Sequence, residues 1–169
     1  VDLILGPEMK STGEVMGLDK NFLSAFIKSQ IASGTNLPKK GNVFLSIDDD
    51  NKNKLTPVAK KLIKLNFNLI ATKGTGSFLK KNNLKVNIIK KVKEGSPNIV
   101  DSLLLGKIDL VINTTKTQHS IKDSYSIRRT SLINNIPYYT TIAGAKVAVD
   151  AIEFLKKNNL TVISLQTMH

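Results

Sequence analysis

Short apolar runs alternate with longer amphipathic segments from Gly41 onward. This alternation is typical of repeated strand–helix units. Because strands joined by crossover helices lie parallel in one sheet, the pattern predicts an α/β fold, with a parallel five-stranded sheet inside a three-layer α/β/α domain. The predicted strands are Val43–Ile47, Phe67–Ala71, Val86–Ile89, Leu110–Ile112 and Tyr138–Thr141, and Val162–Leu165 is a candidate for a late edge strand.

Amphipathic segments between these strands predict the helices. In Thr56–Leu65 most apolar residues lie on one helical face and the lysines lie on the other. Gly106 is suited to end a helix that begins at Ile99, because glycine readily takes the backbone conformation found after helix ends. The other predicted helices are Gly76–Lys81, the later part of Ser120–Asn135, and Ala143–Lys157.

The segment before Gly41 has a different pattern. Asp19–Ile31 is predicted to be an amphipathic helix, with Asp19 as its N-cap and Ser33–Gly34 as its end. The glycine-rich stretch ahead of it continues no strand–helix unit. We therefore predict a domain boundary at Pro38–Gly41, which divides the chain into residues 1–38 and residues 39–169.

A length of 169 residues suits one sizeable α/β core with a tail. No apolar run reaches the roughly 20 residues needed to span a bilayer, so no membrane partner is expected. The opening VDLILGPEMKST lacks the basic region of a secretory signal. Cysteine is absent, which excludes disulfides and thiolate chemistry and is compatible with a reducing cytosol. We expect a cytoplasmic protein.

The net charge of +12 raises the question of nucleic-acid binding. Nearly all of the positive charge is lysine, with arginine only at Arg128 and Arg129, and the aromatic residues are few and scattered. A platform for stacking bases needs clustered aromatic rings, so the lysines are interpreted as a solvated coat and no nucleic-acid partner is expected. Nucleic-acid binding is supported by net charge alone.

Two strand ends carry polar residues suited to a ligand. The run Phe67–Thr75, FNLIATKGT, leads from an apolar strand into a helix start, where backbone N–H groups and the hydroxyls of Thr72 and Thr75 would converge on a phosphate. A second apolar run, Ile108–Ile112, ends in the polar triplet at residues 113–115. Neighbouring strand ends of a parallel sheet form a ligand crevice, so the two turns together predict a phosphate site.

The chain also resembles a known family over essentially its whole length. The opening LGPEMKSTGEVMG is similar to the end of the second ATP-grasp half of carbamoyl phosphate synthetase large subunits. The remainder resembles the C-terminal regulatory domain of that subunit, which has the Rossmann-like methylglyoxal-synthase-like fold. The matching motifs, in order, are ATKGT at residues 71–75, KVKEG at 91–95, GKIDLVINTT at 106–115, DSYSIRR at 123–129 and PYYTTIAGA at 137–145.

This resemblance implies an allosteric domain that binds a nucleoside monophosphate effector, UMP or IMP. The parent enzyme is a ligase that makes carbamoyl phosphate from bicarbonate and glutamine for arginine and pyrimidine biosynthesis, using ATP with Mg or Mn. This chain lacks an ATP-grasp active site, so it is expected to be non-catalytic and to hold no cofactor. The implied partners are the ATP-grasp domains of the same subunit, the small glutaminase subunit and ornithine.

The resemblance also implies roles for single residues. The effector phosphate would contact Lys52, Thr72, Thr75 and Lys91, and the ribose and base would contact Asn113, Thr115 and Asp123; the candidate ornithine contacts are Tyr138 and Thr140. Lys73 is found where relatives often carry histidine, and Thr117 and Gln118 follow the polar triplet where relatives often have a turn rich in glycine or serine.

The alternative function is that of the fold's namesake, a methylglyoxal synthase-type phosphate lyase with an aspartate as catalytic base. Ser96 occupies the position where that aspartate is needed, and serine requires an activating partner. Asp101 is expected to point elsewhere, one helical turn away. His119 and His169 have no ligand companions, so no metal site is expected. We therefore predict a retained phosphate site without catalysis.

Overall fold

The fold is seen in a computed structural model that describes residues 20–114 and 118–158, with the side chains of residues 118–123 excepted. The helices are α1 Lys20–Ala32, α2 Lys52–Lys64, α3 Lys73–Lys81, α4 Ile99–Leu104, α5 Gln118–Ile133 and α6 Ile142–Lys157. The strands are β1 Gly41–Ser46, β2 Phe67–Ala71, β3 Asn87–Ile88, β4 Leu110–Asn113 and β5 Tyr138–Tyr139.

All five strands pair in parallel in the order β3-β2-β1-β4-β5, which confirms the predicted sheet. The chain builds outward from β1 in one direction through β2 and β3, and then returns to the other side of β1 with β4 and β5. The order therefore reverses between β1 and β4. In open parallel sheets, ligands bind outside the carboxyl ends of the strands at such a reversal.

Two apolar clusters cover the two faces of the sheet. The larger cluster joins the sheet to α1, α2, α3 and α6, and its fully buried members include Leu45, Leu62 and Ile152. The smaller cluster lies between the other face and helices α4 and α5; it consists of Phe44, Ile99, Leu103, Ile108, Val111 and Ile127. Helices on both faces confirm the three-layer arrangement.

The outer strands are shorter than predicted. Strand β3 has only Asn87 and Ile88, both exposed, and β5 ends at Tyr139. The chain leaves β5 early because Thr141 caps α6, with its hydroxyl accepting a hydrogen bond from the Gly144 N–H at 3.0 Å. The candidate edge strand Val162–Leu165 lies outside the described residues.

Helix α1 precedes the predicted domain boundary and packs into the same core as the sheet. Leu23, Phe26 and Ile27 are buried members of the larger cluster. The Tyr139 hydroxyl donates a hydrogen bond to the side-chain oxygen of Gln30 at 2.9 Å, which joins β5 to α1. The boundary at residues 38–41 falls between the end of α1 and the first residue of β1, and it stays a prediction. No helix in the described ranges is long and apolar enough to cross a membrane.

Lys156 on α6 forms hydrogen bonds to the backbone of two loops. Its ammonium donates hydrogen bonds to the carbonyl oxygens of Lys39 at 2.8 Å and Leu65 at 2.7 Å, and it lies 5.6 Å from the centre of the Phe67 ring. The first loop leads into β1 and the second joins α2 to β2. Lys156 thus fixes the amino-terminal ends of two central strands.

We expect Lys156→Met to lower the free energy of unfolding by about 1.5–3 kcal/mol, because charge-assisted hydrogen bonds to two partly buried carbonyl oxygens are lost. Lys157→Met is the matched control, since the Lys157 side chain is 73% exposed and lies 3.6 Å from Glu153. Urea unfolding followed by circular dichroism measures both variants. Equal losses of stability in the two variants would contradict the assigned role of Lys156.

Candidate functional site

Polar side chains end the three central strands on one face of the sheet. The residues Phe44, Ile70 and Val111 are partners in the register of β1, β2 and β4, and they pack with the smaller cluster. Because side chains alternate along a strand, residues two positions further on lie on the same face. These residues form what we call the polar row: Ser46, Thr72 and Asn113.

Direct contacts agree with this placement. The Thr72 Oγ1 lies 3.5 Å from the Ser46 Oγ, and Ser46 and Asn113 are register partners of β1 and β4. Thr72 is 3% exposed and Asn113 is 1% exposed, so both side chains are almost fully buried. The row crosses the point where the strand order reverses.

Helix α3 begins directly after the polar row. Thr72 is its N-cap residue, in an extended conformation, and the Thr72 side chain makes no capping hydrogen bond to the helix. The first N–H groups of an α-helix have no partner within the helix, and they carry the positive end of the helix dipole. The N–H groups of Lys73 and Gly74 and the Thr72 hydroxyl therefore form a donor set at the carboxyl end of β2.

Lys52 brings a positive charge to the same helix end. A Cβ atom on Gly74 would lie 3.6 Å from the Lys52 Nζ, so the ammonium sits against the first turn of α3. A cation is repelled by a helix N-terminus. Asp49 offsets part of this repulsion at 2.5 Å, but its side chain is 92% exposed, whereas that of Lys52 is 18% exposed. The arrangement favours an anion between Lys52 and α3.

Helix α2 positions Lys52 because it is fixed along its length. Leu55 and Leu62 are fully buried in the larger cluster. Lys61 is hydrogen-bonded to Asp150 and, at 2.9 Å, forms an ion pair with Glu153 on α6. Burial alone would lower the pKa of Lys61, but the hydrogen bonds and charges of these two carboxylates raise it.

Two threonine side chains form hydrogen bonds with the segment that follows β1. The Thr75 hydroxyl accepts a hydrogen bond from the Ile47 N–H at 2.9 Å, and the Thr114 hydroxyl accepts one from the Asp48 N–H, also at 2.9 Å. Both threonines are buried. The predicted phosphate contact of Thr75 stays a prediction, and its backbone N–H lies in the first turn of α3, where no intrahelical partner exists.

Asn113 is held by a tyrosine from the neighbouring strand. Its side-chain Nδ2 donates a hydrogen bond to the Tyr138 hydroxyl at 2.9 Å. Burial raises the pKa of Tyr138, although the hydrogen bond from Asn113 and the charge of Arg128 oppose this shift. The Arg128 guanidinium lies 5.8 Å from the centre of the Tyr138 ring. The phenol is therefore neutral at physiological pH.

The structure brings four of the predicted site residues to this edge of the sheet, namely Lys52, Thr72, Thr75 and Asn113. Lys91 follows β3 at the same edge with an exposed side chain, and its backbone N–H donates to the Glu94 carboxylate at 2.7 Å. Thr140 is exposed just beyond β5. Thr115 lies outside the described residues; Asp123 belongs to α5, and its side chain is outside the description.

Sequence reasoning missed Ser46 and did not link Tyr138 to Asn113. Ser46 is a polar residue at the end of the buried run of β1, which is the signal that identified Thr72 and Asn113. Its place between them becomes visible only when β1 is set in register with β2 and β4. The contact between Asn113 and Tyr138 depends on the pairing of β4 with β5 in the same way.

The expectation that Asp101 points away from Ser96 is wrong. The Ser96 hydroxyl donates a hydrogen bond to Asp101 Oδ2 at 2.8 Å, and the same oxygen accepts the Asn98 N–H at 2.8 Å. Asn98 caps α4 and Asp101 reaches back across the cap, a reciprocal arrangement that a simple count of helical turns does not reveal. The hydrogen bonds from Asn98 and Ser96 lower the pKa of Asp101, which makes it a poor base.

We expect no methylglyoxal from dihydroxyacetone phosphate with the natural chain, and none with Ser96→Asp. The new carboxylate would lie beside Asp101, and like charges at that distance repel each other and disturb the α4 cap. A colorimetric assay for methylglyoxal at saturating substrate measures both proteins, with Ser96→Ala as a control for loss of the hydrogen bond alone. Robust turnover by either protein would contradict the assignment of Ser96 and Asp101 to a helix cap.

Part of the sequence matches a known protein family. The family model described as the MGS-like domain matches residues 54–140, a little over half of the chain. The chain belongs to the MGS-like domain family. The matched region of this MGS-like domain runs from α2 to the end of β5, and it contains Thr72, Asn113 and Tyr138.

Curated relatives are similar over nearly the whole chain. The identity is 51% with the carbamoyl phosphate synthase large chain of Myxococcus xanthus, over 98% of this chain and 15% of that protein. The identity is 48% with the carbamoyl phosphate synthase large chain, C-terminal section, of Methanopyrus kandleri, over all of this chain and 31% of that protein. It is 46% with the protein of the same name from Aquifex aeolicus, over all of this chain and 32% of that protein. The chain thus spans less than one third of the length of each relative.

Proposed function

We propose that this MGS-like domain binds a nucleoside monophosphate, UMP or IMP, as a regulatory effector. The observation that carries the proposal is the ammonium of Lys52 held against the N-terminus of α3, beside the buried Thr72 hydroxyl. A cation, helix N–H groups and a hydroxyl at one point form a donor set for a tetrahedral dianion. The rest of the polar row extends from this point across the sheet.

The phosphate would replace Asp49 as the partner of Lys52. It would accept hydrogen bonds from the Thr72 hydroxyl and from the N–H groups in the first turn of α3. Hydrogen bonds to a charged group contribute roughly 1.5–3 kcal/mol each. Lys73 and Lys91 have exposed side chains, so their attraction for the phosphate is screened by solvent and salt and adds less.

The sugar and base would lie toward Asn113. The row from Thr72 to Asn113 crosses two strand spacings, roughly 10 Å in total, which is long enough for a phosphate followed by a ribose. Asn113 offers a buried carboxamide to sugar hydroxyls. Thr115 and Asp123, which follow β4 in sequence, are proposed as further contacts on the ribose and base side.

We infer from the curated relatives that the chain is the C-terminal part of a glutamine-hydrolysing carbamoyl phosphate synthase large subunit. In that setting the ATP-grasp domains of the same subunit would consume ATP with Mg or Mn, and a small glutaminase subunit would supply ammonia in the cytoplasm. Residues 1–38 would connect those domains to the regulatory domain at residues 39–169. Ornithine would bind at the junction, near Tyr138 and Thr140.

Helix α1 offers a physical route by which binding could reach upstream domains. Its buried face is packed into the core of the domain, and Gln30 is hydrogen-bonded to Tyr139. Strand β5 therefore contacts both α1 and, through Tyr138, the polar row. A change at the crevice that shifts β5 would shift the helix that leads to the rest of the subunit.

The expected result is that UMP or IMP binds the chain, and that Thr72→Val and Lys52→Met each weaken binding by about ten- to a hundredfold, because each loses one charge-assisted interaction with the phosphate. Isothermal titration calorimetry measures the affinities. Thr75 is left unchanged, because its hydroxyl also bonds to the Ile47 backbone and its loss would disturb the fold.

Lys54→Met is the matched control for Lys52→Met. Lys54 lies on the same helix with an exposed side chain, and its substitution removes the same charge. The two variants therefore differ in position and not in net charge. Equal weakening by both would overturn the proposed phosphate site, and failure of the natural chain to bind either nucleotide would overturn the proposed function.

A further inference from the structure

Asp49 contacts the Lys52 ammonium, which is the cation of the proposed phosphate site. Its Oδ1 lies 2.5 Å from the Lys52 Nζ. The Lys52 side chain is 18% exposed, whereas that of Asp49 is 92% exposed. The ammonium is therefore enclosed beside the first turn of α3, and the carboxylate reaches it from the solvent side.

The backbone that carries Asp49 is fixed by neighbouring side chains. The hydroxyls of Thr75 and Thr114 accept hydrogen bonds, both of 2.9 Å, from the N–H groups of the two residues before Asp49. The Asn51 Nδ2 lies 3.0 Å and 2.9 Å from the two carboxylate oxygens of Asp48. Asp49 begins a short 3-10 turn that leads from this segment into α2. Its backbone is thus held within reach of the ammonium, while its exposed side chain can rotate into solvent.

A phosphate at this helix end would meet the Asp49 carboxylate as a like charge. An ammonium has three donor hydrogens, so Lys52 has enough donors for both groups. Two oxygens bonded to one nitrogen lie only about 4–5 Å apart, however, and a dianion and a carboxylate at that distance repel each other by roughly tenfold or more in affinity. Breaking an ion pair with an exposed partner costs less, about two- to fivefold. The carboxylate is therefore expected to leave Lys52 when a phosphate binds.

We propose that Asp49 is an internal competitor for the Lys52 ammonium: it lowers the affinity of this helix end for anions, and it rotates into solvent when a phosphate binds. This inference rests on the proposed binding of a phosphate at Lys52 and Thr72. Asp49 offsets part of the repulsion between Lys52 and the first turn of α3, and the phosphate takes over that role. A ligand that makes only phosphate contacts has to displace the carboxylate without help from a sugar or a base.

The test measures the affinities of the natural chain and of Asp49→Asn for inorganic phosphate, UMP and IMP. Asparagine keeps the size of the side chain and an oxygen that can accept a hydrogen bond from Lys52, but it removes the negative charge. Asp49→Asn is expected to bind phosphate and nucleotide about two- to fivefold more tightly. Isothermal titration calorimetry at low ionic strength gives the affinities, because salt screens exposed charges.

Asp109→Asn is the matched control for net charge. Asp109 directly precedes β4 at the opposite edge of the sheet, where its Oδ2 accepts a hydrogen bond from the Asn42 N–H at 2.9 Å. This variant loses the same charge, but it is expected to leave the affinities unchanged. In a chain that also carries Lys52→Met, Asp49→Asn is expected to have little effect, because the carboxylate then has no ammonium to compete for.

The outcomes separate this inference from the function on which it rests. If inorganic phosphate binds more tightly to Asp49→Asn but neither nucleotide binds, the proposed function fails and the competition stands. If a nucleotide binds and Asp49→Asn leaves its affinity unchanged or weakens it, the competition is overturned and the proposed function stands. An equal gain with and without Lys52 would show general repulsion of anions and would also overturn the competition. If no ligand binds either protein, both proposals fail.

Discussion

The register of β1 against β2 and β4 is the constraint on which the crevice depends. It aligns an apolar row inside the smaller cluster with a polar row two residues further along, so the packing of Phe44 and its partners determines the positions of Ser46, Thr72 and Asn113. If either pairing shifted by one residue, the polar side chain at that end of the row would point to the opposite face of the sheet. The burial that stabilises the sheet therefore also assembles the site.

The positive charges at this edge of the sheet favour a negatively charged ligand. The first turn of α3 and Lys52 are both positive, and they are held together by the burial of α2 and by its ion pairs with α6. The fold thus maintains a local repulsion that Asp49, as a largely exposed carboxylate, offsets only in part. An incoming phosphate would offset this repulsion and accept hydrogen bonds at the same time, so the arrangement favours an anionic ligand.

The sequence predicted the central strands well because a buried parallel strand is a continuous apolar run, and β2 has the predicted bounds. Thr72 and Asn113 could be found because they are polar residues directly after such runs. The position of Ser46 beside Thr72 and Asn113, and the contact between Tyr138 and Asn113, depend on the register between strands, which no single segment encodes. The direction of the Asp101 side chain could not be predicted from helical periodicity, because it is set by the cap of α4.

The proposed phosphate-bearing ligand would bind between Lys52 and the first turn of α3. The most direct measurement is a titration of the ¹⁵N-labelled chain with UMP and IMP, followed by the backbone amide shifts of Lys73, Gly74 and Thr75. We predict saturable shifts that are largest at these three amides, with little change at Gly106, which precedes β4 at the opposite edge of the sheet. Saturable shifts centred elsewhere, with no change at the α3 amides, would contradict phosphate binding at this helix end.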